Sequence, residues 1–215
     1  MSPDYAGSKD DPAGTLKARG EFNVAVHQTA NAIAKRAFMK ALDNLPKGKR
    51  VLVTAGGCGA GKGFALGQVG ETAALAGEAA AIWDAAVDQN STETEWVLQE
   101  CRKRGIEAVF TFVHADPIKV WADPAGGVVE RAQKKGRMID HQVFAESYAI
   151  GAKNFKSFMD KHIDDPDIAF HVIKNNRGEA PVLQREMPEE ALSLDINHVA
   201  REAKKVIDKL KGEID

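Results

Sequence analysis

Residues 50–63 read R-V-L-V-T-A-G-G-C-G-A-G-K-G, and this stretch decides the fold. The segment Arg50 to Ala55 is short, β-branched and apolar, as expected of a buried parallel strand. Five glycines follow within residues 56–63, and the segment Phe64 to Ala76 after them has few helix breakers. The order strand, glycine-rich loop, helix is a recurring unit of α/β proteins.

Gly56 to Lys62 matches the G-x-x-x-x-G-K pattern of a phosphate-binding loop. Glycines let the backbone wrap closely around phosphates, so that successive N–H groups form an anion-binding nest. Lys62 would reach the β- and γ-phosphates and offset charge as a phosphoryl group moves. A glycine-rich turn with a solvated lysine is the alternative, and it explains poorly why glycines crowd between a buried strand and a helix. The residues expected to contact the nucleotide are Gly57, Cys58, Gly59, Ala60, Gly61, Lys62, Gly63 and Phe64.

The residue after the motif lysine is Gly63, where a Ser or Thr hydroxyl usually binds Mg²⁺. A metal ion would then be held by water, by the substrate or by another side chain, for which Asp84 and Asp88 are the candidates. The alternative is that catalysis is weak or lost. The sequence leaves both interpretations open.

Strands and helices alternate along the chain, which predicts an α/β layered fold of the P-loop NTPase or kinase type, with a mostly parallel central sheet and flanking helices. Further strands are expected at Ala79 to Trp83, Ile106 to Val113, Ile168 to Ile173 and, at an edge, Pro181 to Leu183. Further helices are expected within residues 22–45, from Thr92 to near Gly105, and over residues 128–135, 141–161 and 195–211.

We expect a flexible leader at residues 1–20, followed by a single domain over residues 21–215 whose core spans residues 50–176. The first helix would pack on the sheet through one apolar face. The residues of that face are Val26, Ala30, Ile33, Ala34, Ala37, Phe38 and Leu42. Apolar residues of the last helix also share one face, and they are Ile196, Val199, Ala203, Val206, Ile207 and Leu210.

The composition narrows the class of protein. With 215 residues, 44% hydrophobic and 28% charged, the chain is typical of a soluble globular domain. A net charge of -2 argues against a nucleic-acid protein whose affinity rests on a broad cationic face. No stretch approaches the roughly 20 apolar residues that cross a membrane, and the first twenty residues lack an apolar secretory core. We expect a cytoplasmic protein, although secretion without a cleaved signal would leave no trace in this sequence.

Asp84 ends the second predicted strand. Ligands of α/β sheets bind at the carboxyl ends of the strands, so its carboxylate is placed to contact one. An acceptor hydroxyl needs a proton acceptor near its oxygen, and Asp84 could serve as that base. The alternative is a turn or N-cap aspartate, and Asp88 is the substitute candidate for base or metal contact.

A basic cluster follows, formed by Arg131, Lys134, Lys135 and Arg137. Arginine forks fit phosphate oxygens and can stabilise charge that develops during transfer. A solvated helix face is the ordinary interpretation of such a run. The residue types alone leave both interpretations open for the two arginines, and we expect the two lysines to be solvated.

Five weaker candidates remain. His141 could touch substrate, but a surface or core histidine is the ordinary case. Trp83 is expected to pack in the core rather than stack on a base. Asn175 and Asn176 follow the last parallel strand, where either a base contact or a plain turn would fit. Cys58 lies within the motif, and no partner that would activate it as a nucleophile can be identified from the sequence.

The run V-L-V-T-A-G-G-C-G-A-G-K-G resembles the Walker A segment of zeta-toxin-type kinases, especially those found in large bacterial and phage polyvalent proteins. The resemblance covers roughly residues 25–176. The segments that carry it, in order, are V-H-Q-T-A-N-A-I-A-K, the Walker run, I-W-D-A-A-V-D-Q-N, F-V-H-A-D-P, E-R-A-Q-K-K-G-R-M-I-D and F-H-V-I-K-N-N. It implies a kinase that uses ATP or GTP with Mg²⁺ to phosphorylate a hydroxyl of a nucleotide-linked metabolite, such as a UDP-amino-sugar or NAD.

Residue by residue, the resemblance implies that Lys62 is the phosphate lysine and that Asp84 is the base. Arg131 and Arg137 would be the phosphate-clamping arginines of a lid. An antitoxin-like protein is a partner that the family suggests. Gly63 and the Ala85-Ala86 pair depart from the family pattern. These departures support a rival interpretation, a nucleotide-binding interaction or regulatory domain without turnover, and a simple NTPase is a third.

Overall fold

The computed structural model of the chain describes residues 29–46, 48–84, 92–135 and 139–212. The predicted leader, the beginning of the first helix, Asp88 and Arg137 lie outside the described residues. Among the helices within those ranges, none combines the length and the apolar composition needed to span a bilayer.

Five strands of the described chain form one sheet. They are β1 (Arg50–Gly56), β2 (Ala81–Asp84), β3 (Glu107–His114), β4 (Ile168–Lys174) and β5 (Val182–Gln184). Their order across the sheet is β2-β1-β3-β4-β5, with the first four parallel and β5 antiparallel to β4. The prediction of an α/β fold with a mostly parallel sheet is confirmed.

Helices flank this sheet on both faces. They are α1 (residues 29–43 of the described chain), α2 (Lys62–Gln68), α3 (Gly70–Glu78), α4 (Thr92–Arg102), α5 (Pro117–Ala122), α6 (Val128–Lys135), α7 (His141–His162), α8 (Glu189–Leu192) and α9 (Ile196–Gly212). Helices at α4, α6, α7 and α9 agree with the sequence predictions to within a few residues.

Alternation along β1 explains why both faces of the sheet are covered. Val51 and Val53 are buried in one cluster with α1, α4 and the C-terminal half of α7, whereas Leu52 belongs to the opposite cluster with α2, α5, α9 and the N-terminal part of α7. The predicted apolar stripe of α9 packs into this second cluster. Trp121 of α5 strengthens that contact, because its indole N–H donates to the Ala203 carbonyl at 2.9 Å.

The single helix predicted from Phe64 to Ala76 is wrong, because the chain breaks into α2 and α3 at Val69. Val69 is extended, with φ -91° and ψ 115°. The Thr72 hydroxyl lies 3.0 Å from the Leu66 carbonyl oxygen and 3.1 Å from that of Val69, so it links the end of α2 to the start of α3. Gly70 at the start of α3 adds little intrinsic helix propensity to resist the break.

Two short helices, α5 and α8, were not predicted. The start of α5 nevertheless follows from local chemistry. The Asp116 carboxylate accepts the main-chain N–H groups of Ile118 and Lys119, at 2.9 and 3.2 Å, and Pro117 occupies the first helical turn. A short helix therefore begins soon after the end of β3.

The predicted apolar face of α1 is only partly buried. Phe38 and Leu42 pack in the core, and the Phe38 ring lies 4.9 Å from that of Trp83. The Ile33 side chain is 64% exposed. Two further residues of the predicted face are also exposed, Ala34 and Ala37. The last turns of α1 reach the aromatic cluster of β2 and α4, and the earlier turns do not.

The strand order locates the site. Because β2 and β3 lie on opposite sides of β1, the order reverses at β1, and ligands of such sheets bind at the carboxyl ends of the strands beside this switch point. The loops after β1, β3 and β4 share that edge. Asn175, which follows β4, donates its main-chain N–H to the His114 carbonyl at 2.7 Å.

We predict that Phe155→Ala lowers the free energy of unfolding by about 3–5 kcal/mol, because Phe155 is fully buried against Phe112 and Phe170. Val143 lies on the same helix but is 54% exposed, so Val143→Ala should change stability by less than about 0.5 kcal/mol. Urea denaturation measures both values. Equal losses in the two variants would contradict the assigned core face of α7.

Candidate functional site

The chain leaves β1 through a tight loop that runs to Gly61, the residue before α2. Gly59 and Gly61 have φ of +82° and +77°, in the left-handed region that favours glycine. A Cβ at Gly59 would lie 2.8 Å from the Val128 side chain and 3.0 Å from the Arg131 guanidinium. The loop therefore lies directly against α6.

Main-chain N–H groups of the loop divide into two sets. The Cys58 N–H donates to the Ser147 hydroxyl at 3.1 Å, and the Ala60 N–H donates to the Gly57 carbonyl at 3.1 Å. Within the described residues no acceptor is present for the N–H groups of Gly59, Gly61, Lys62 and Gly63. This second set is available to an anion.

Lys62 and Asp84 form an ion pair beside the loop. The Lys62 ammonium lies 3.6 Å from Asp84 Oδ1, with the lysine side chain 15% exposed and the aspartate 67% exposed. Thr54 is the register partner of Asp84 on β1, and its hydroxyl donates to the same carboxylate oxygen at 2.7 Å. The Thr54 hydroxyl thus orients the carboxylate, while most of the Asp84 side chain is open to solvent.

The described part of the basic cluster comprises the side chains of Arg131 and Lys134, both of which are exposed residues. The Arg131 guanidinium lies against Gly59 and has no carboxylate within ion-pair distance among the described residues. Lys134 is 74% exposed and pairs with Glu130 of its own helix. The side chain of Lys135 and all of Arg137 lie outside the described residues, so the proposed arginine pair is placed for one member only.

No three His, Cys, Asp or Glu side chains of the described ranges cluster so as to hold a metal ion. Mg²⁺ commonly uses one or two carboxylates together with substrate phosphates and water. Asp84 fits such a partial ligand set. A Cβ at Gly63 would meet nothing within 4 Å, so the missing hydroxyl is not excluded by packing.

Helix α7 packs against the loop, a contact that no local sequence pattern predicted. Ser147 accepts the Cys58 N–H, and the ring of Tyr148 would lie 2.4 Å from a Cβ at Gly57. Burial raises the pKa of Tyr148 well above its usual range, so the phenol is neutral. Its hydroxyl has no hydrogen-bond partner within the described residues.

Asn175 also contacts the loop. Its side-chain amide donates to the Ala60 carbonyl at 2.7 Å, and the residue is 7% exposed. The sequence offered a base contact or a plain turn for Asn175, and the structure places it against the loop backbone instead. Ala60 itself is buried, whereas the Phe64 side chain, four residues on, is 59% exposed.

A cavity of about 290 Å³ opens at the same edge of the sheet, beside Asn176. Its walls include apolar side chains of α5 and α9, among them Ile118 and Val199. His114, at the end of β3, lines it and is 4% exposed. Burial lowers the pKa of His114, which therefore offers a neutral imidazole to the cavity.

The other weak candidates take ordinary places. Trp83 is buried against Phe38 and Trp96, which confirms the core prediction. His141 lies in the first turn of α7, 3.6 Å from Asp140, which caps that helix.

No known protein-family model matches this chain, and no curated protein matches it significantly.

We predict that Gly57→Ala lowers the free energy of unfolding by about 1–3 kcal/mol, because its Cβ would overlap the Tyr148 ring. Gly63→Ala is the matched control, since it adds the same methyl group to open space inside a helix. Its stability should equal or slightly exceed that of the wild type. Chemical denaturation distinguishes them, and a neutral Gly57→Ala would contradict the contact with Tyr148.

Proposed function

We propose that this protein is a small-molecule kinase of the zeta-toxin type, which transfers the γ-phosphoryl group of ATP or GTP to a hydroxyl of a nucleotide-linked metabolite. The observation that carries the proposal is the loop after β1. The loop has N–H groups without an acceptor in the described residues, Lys62 pairs with Asp84 beside it, and Arg131 approaches it at Gly59, at the switch point of the sheet.

The phosphate site follows from the donors that the loop offers. The N–H groups of Gly59, Gly61, Lys62 and Gly63 can donate to phosphate oxygens, because no acceptor within the described residues competes for them. Lys62 is largely buried beside them, and Arg131 approaches from α6. Two cations and a row of fixed dipoles suit a polyphosphate.

Asp84 is proposed as the base. During transfer the bond between the γ-phosphorus and the bridging oxygen breaks, and a bond from the acceptor oxygen to phosphorus forms. The proton of the acceptor hydroxyl passes to the Asp84 carboxylate, and the nucleoside diphosphate leaves. Thr54 and Lys62 contact Asp84 Oδ1, and its other oxygen has no partner within the described residues, so it can accept that proton.

The ion pair between Lys62 and Asp84 has a consequence for binding. A polyphosphate must compete with the aspartate for the lysine ammonium, since both anions attract the same cation. Nucleotide binding would release Asp84 from this pair and leave it to the acceptor. The same carboxylate therefore weakens nucleotide binding and assists transfer.

Mg²⁺ would neutralise phosphate charge during transfer, with Asp84 as the protein ligand that fits. Gly63 supplies no hydroxyl for the ion, which favours a second candidate function. In that rival the domain binds nucleotide without turnover and serves in interaction or regulation. An antitoxin-like protein partner belongs to the same family expectation and remains a prediction.

The cavity beside Asn176 is proposed to take the base of the nucleotide. Its walls combine apolar side chains with a neutral His114 and with the acidic residues Asp116, Glu190 and Asp195. A mixed lining of this kind suits a flat heteroaromatic ring with polar edges. The acceptor class, a UDP-sugar or an NAD-like molecule, rests on the resemblance of the sequence segments. The transfer assay must therefore include both classes of acceptor.

We predict that Lys62→Ala weakens ATP binding at least about tenfold, because it removes a largely buried ammonium from the phosphate site. Asp84→Asn should bind ATP in the absence of Mg²⁺ at least as tightly as the wild type, because Lys62 no longer pairs with a carboxylate, yet transfer phosphate about 100-fold more slowly. Calorimetry gives the affinities, and γ-labelled ATP or GTP with UDP-N-acetyl sugars or NAD gives the transfer rates.

Lys134→Ala is the control, since it removes an equal charge from an exposed lysine that pairs within α6. Wild-type affinity in Lys62→Ala would exclude the proposed phosphate site. Nucleotide binding by the wild type without transfer to any acceptor would favour the rival function, and phosphate release without an acceptor would indicate an NTPase.

Gly63→Ser tests the missing hydroxyl. We predict faster transfer at low Mg²⁺ concentration than in the wild type, because the serine can contribute a metal ligand in open space. Gly63→Ala adds the Cβ without the hydroxyl and should leave the Mg²⁺ dependence unchanged. Initial rates across a magnesium titration decide the point, and identical curves for the two variants would refute it.

A further inference from the structure

Asn175 is anchored at two points. Its main-chain N–H donates to the His114 carbonyl at 2.7 Å, which ties it to the end of β3. Its side-chain amide donates to the Ala60 carbonyl at 2.7 Å, in a buried setting. The residue therefore links the carboxyl edge of the sheet to the middle of the loop.

The hydrogen bond from Asn175 also fixes the orientation of the peptide group between Ala60 and Gly61. In a planar trans peptide the carbonyl and the following N–H point in opposite directions. Because Asn175 holds the Ala60 carbonyl on the β4 side, the Gly61 N–H points away from β4. Gly61 has φ +77°, and a Cβ there would lie 2.6 Å from the Asn175 amide nitrogen.

We propose that Asn175 is a positioning residue that presets the Gly61 N–H for a polyphosphate. The inference rests on the proposed function, because it assumes that the loop binds phosphate. Without the amide donor, the peptide between Ala60 and Gly61 could rotate and turn the Ala60 carbonyl towards the phosphate. The carbonyl oxygen and the phosphate oxygens would then repel each other. Asn175 thus acts through the loop and does not itself touch the nucleotide.

Asn175→Ala and Asn175→Asp test this role. The first removes the donor, and the second keeps the shape but replaces the amide with an acceptor. Both should bind inorganic tripolyphosphate and ATP at least about tenfold more weakly than the wild type. Asn44→Ala is the matched control, since the Asn44 amide also donates to a main-chain carbonyl, that of Lys40, far along the chain from the loop.

Affinities are measured at a temperature where circular dichroism shows every variant folded. Loss of stability with unchanged tripolyphosphate affinity would assign Asn175 a purely structural role and overturn the proposal. A second measurement uses the wild type alone. Its Gly61 amide resonance should shift downfield when tripolyphosphate binds, as expected for an N–H that donates to an anion.

The two proposals fail in distinguishable ways. If the wild type binds neither tripolyphosphate nor ATP, the proposed function fails and the role of Asn175 fails with it. If binding occurs and depends on Lys62, but the Gly61 resonance is unmoved and Asn175→Ala binds normally, only the positioning role is refuted.

Discussion

Three glycines of the loop after β1 lie so close to neighbouring side chains that a Cβ would overlap them, and the rest of the site depends on this close approach. Helices α6 and α7 and the end of β4 hold it from three directions. The side chains that a Cβ would overlap are Tyr148 at Gly57, Val128 at Gly59 and Asn175 at Gly61. Amide groups fixed in this way need little reorganisation when an anion binds, which is the basis of electrostatic preorganisation.

Charge in the site is local. The structure places Lys62, Arg131 and Asp84 beside the loop, whereas the whole protein carries a net charge of -2. An extended nucleic acid gains affinity from many phosphate contacts spread over a basic face. Two cations and a few amides can neutralise a compact polyanion but not a long one. This distribution of charge supports the proposed nucleotide-sized ligand, and in its absence Lys62 pairs with Asp84.

The sequence predicted the parts of the molecule that local pattern determines. The β-branched run Arg50 to Ala55 and the glycines after it gave β1 and its loop, and the register of Thr54 with Asp84 agrees with a carboxylate at that edge. The supports of the loop come from far along the chain. Ala60 and Asn175 are 115 positions apart, so no local spacing connects them. The break at Val69 was missed because apolar residues on both sides maintain a helical pattern.

Gly63 differs from the other loop glycines in a way that bears on function. Packing explains why Gly57, Gly59 and Gly61 lack a side chain, but a Cβ at Gly63 would meet open space. The fold therefore does not require this glycine, and its effect falls on the chemistry of the site. Asp84 keeps one oxygen oriented by the Thr54 hydroxyl while two thirds of its side chain remain exposed. A carboxylate held in this way can serve a cation or an acceptor hydroxyl even though the residue after the lysine contributes no ligand.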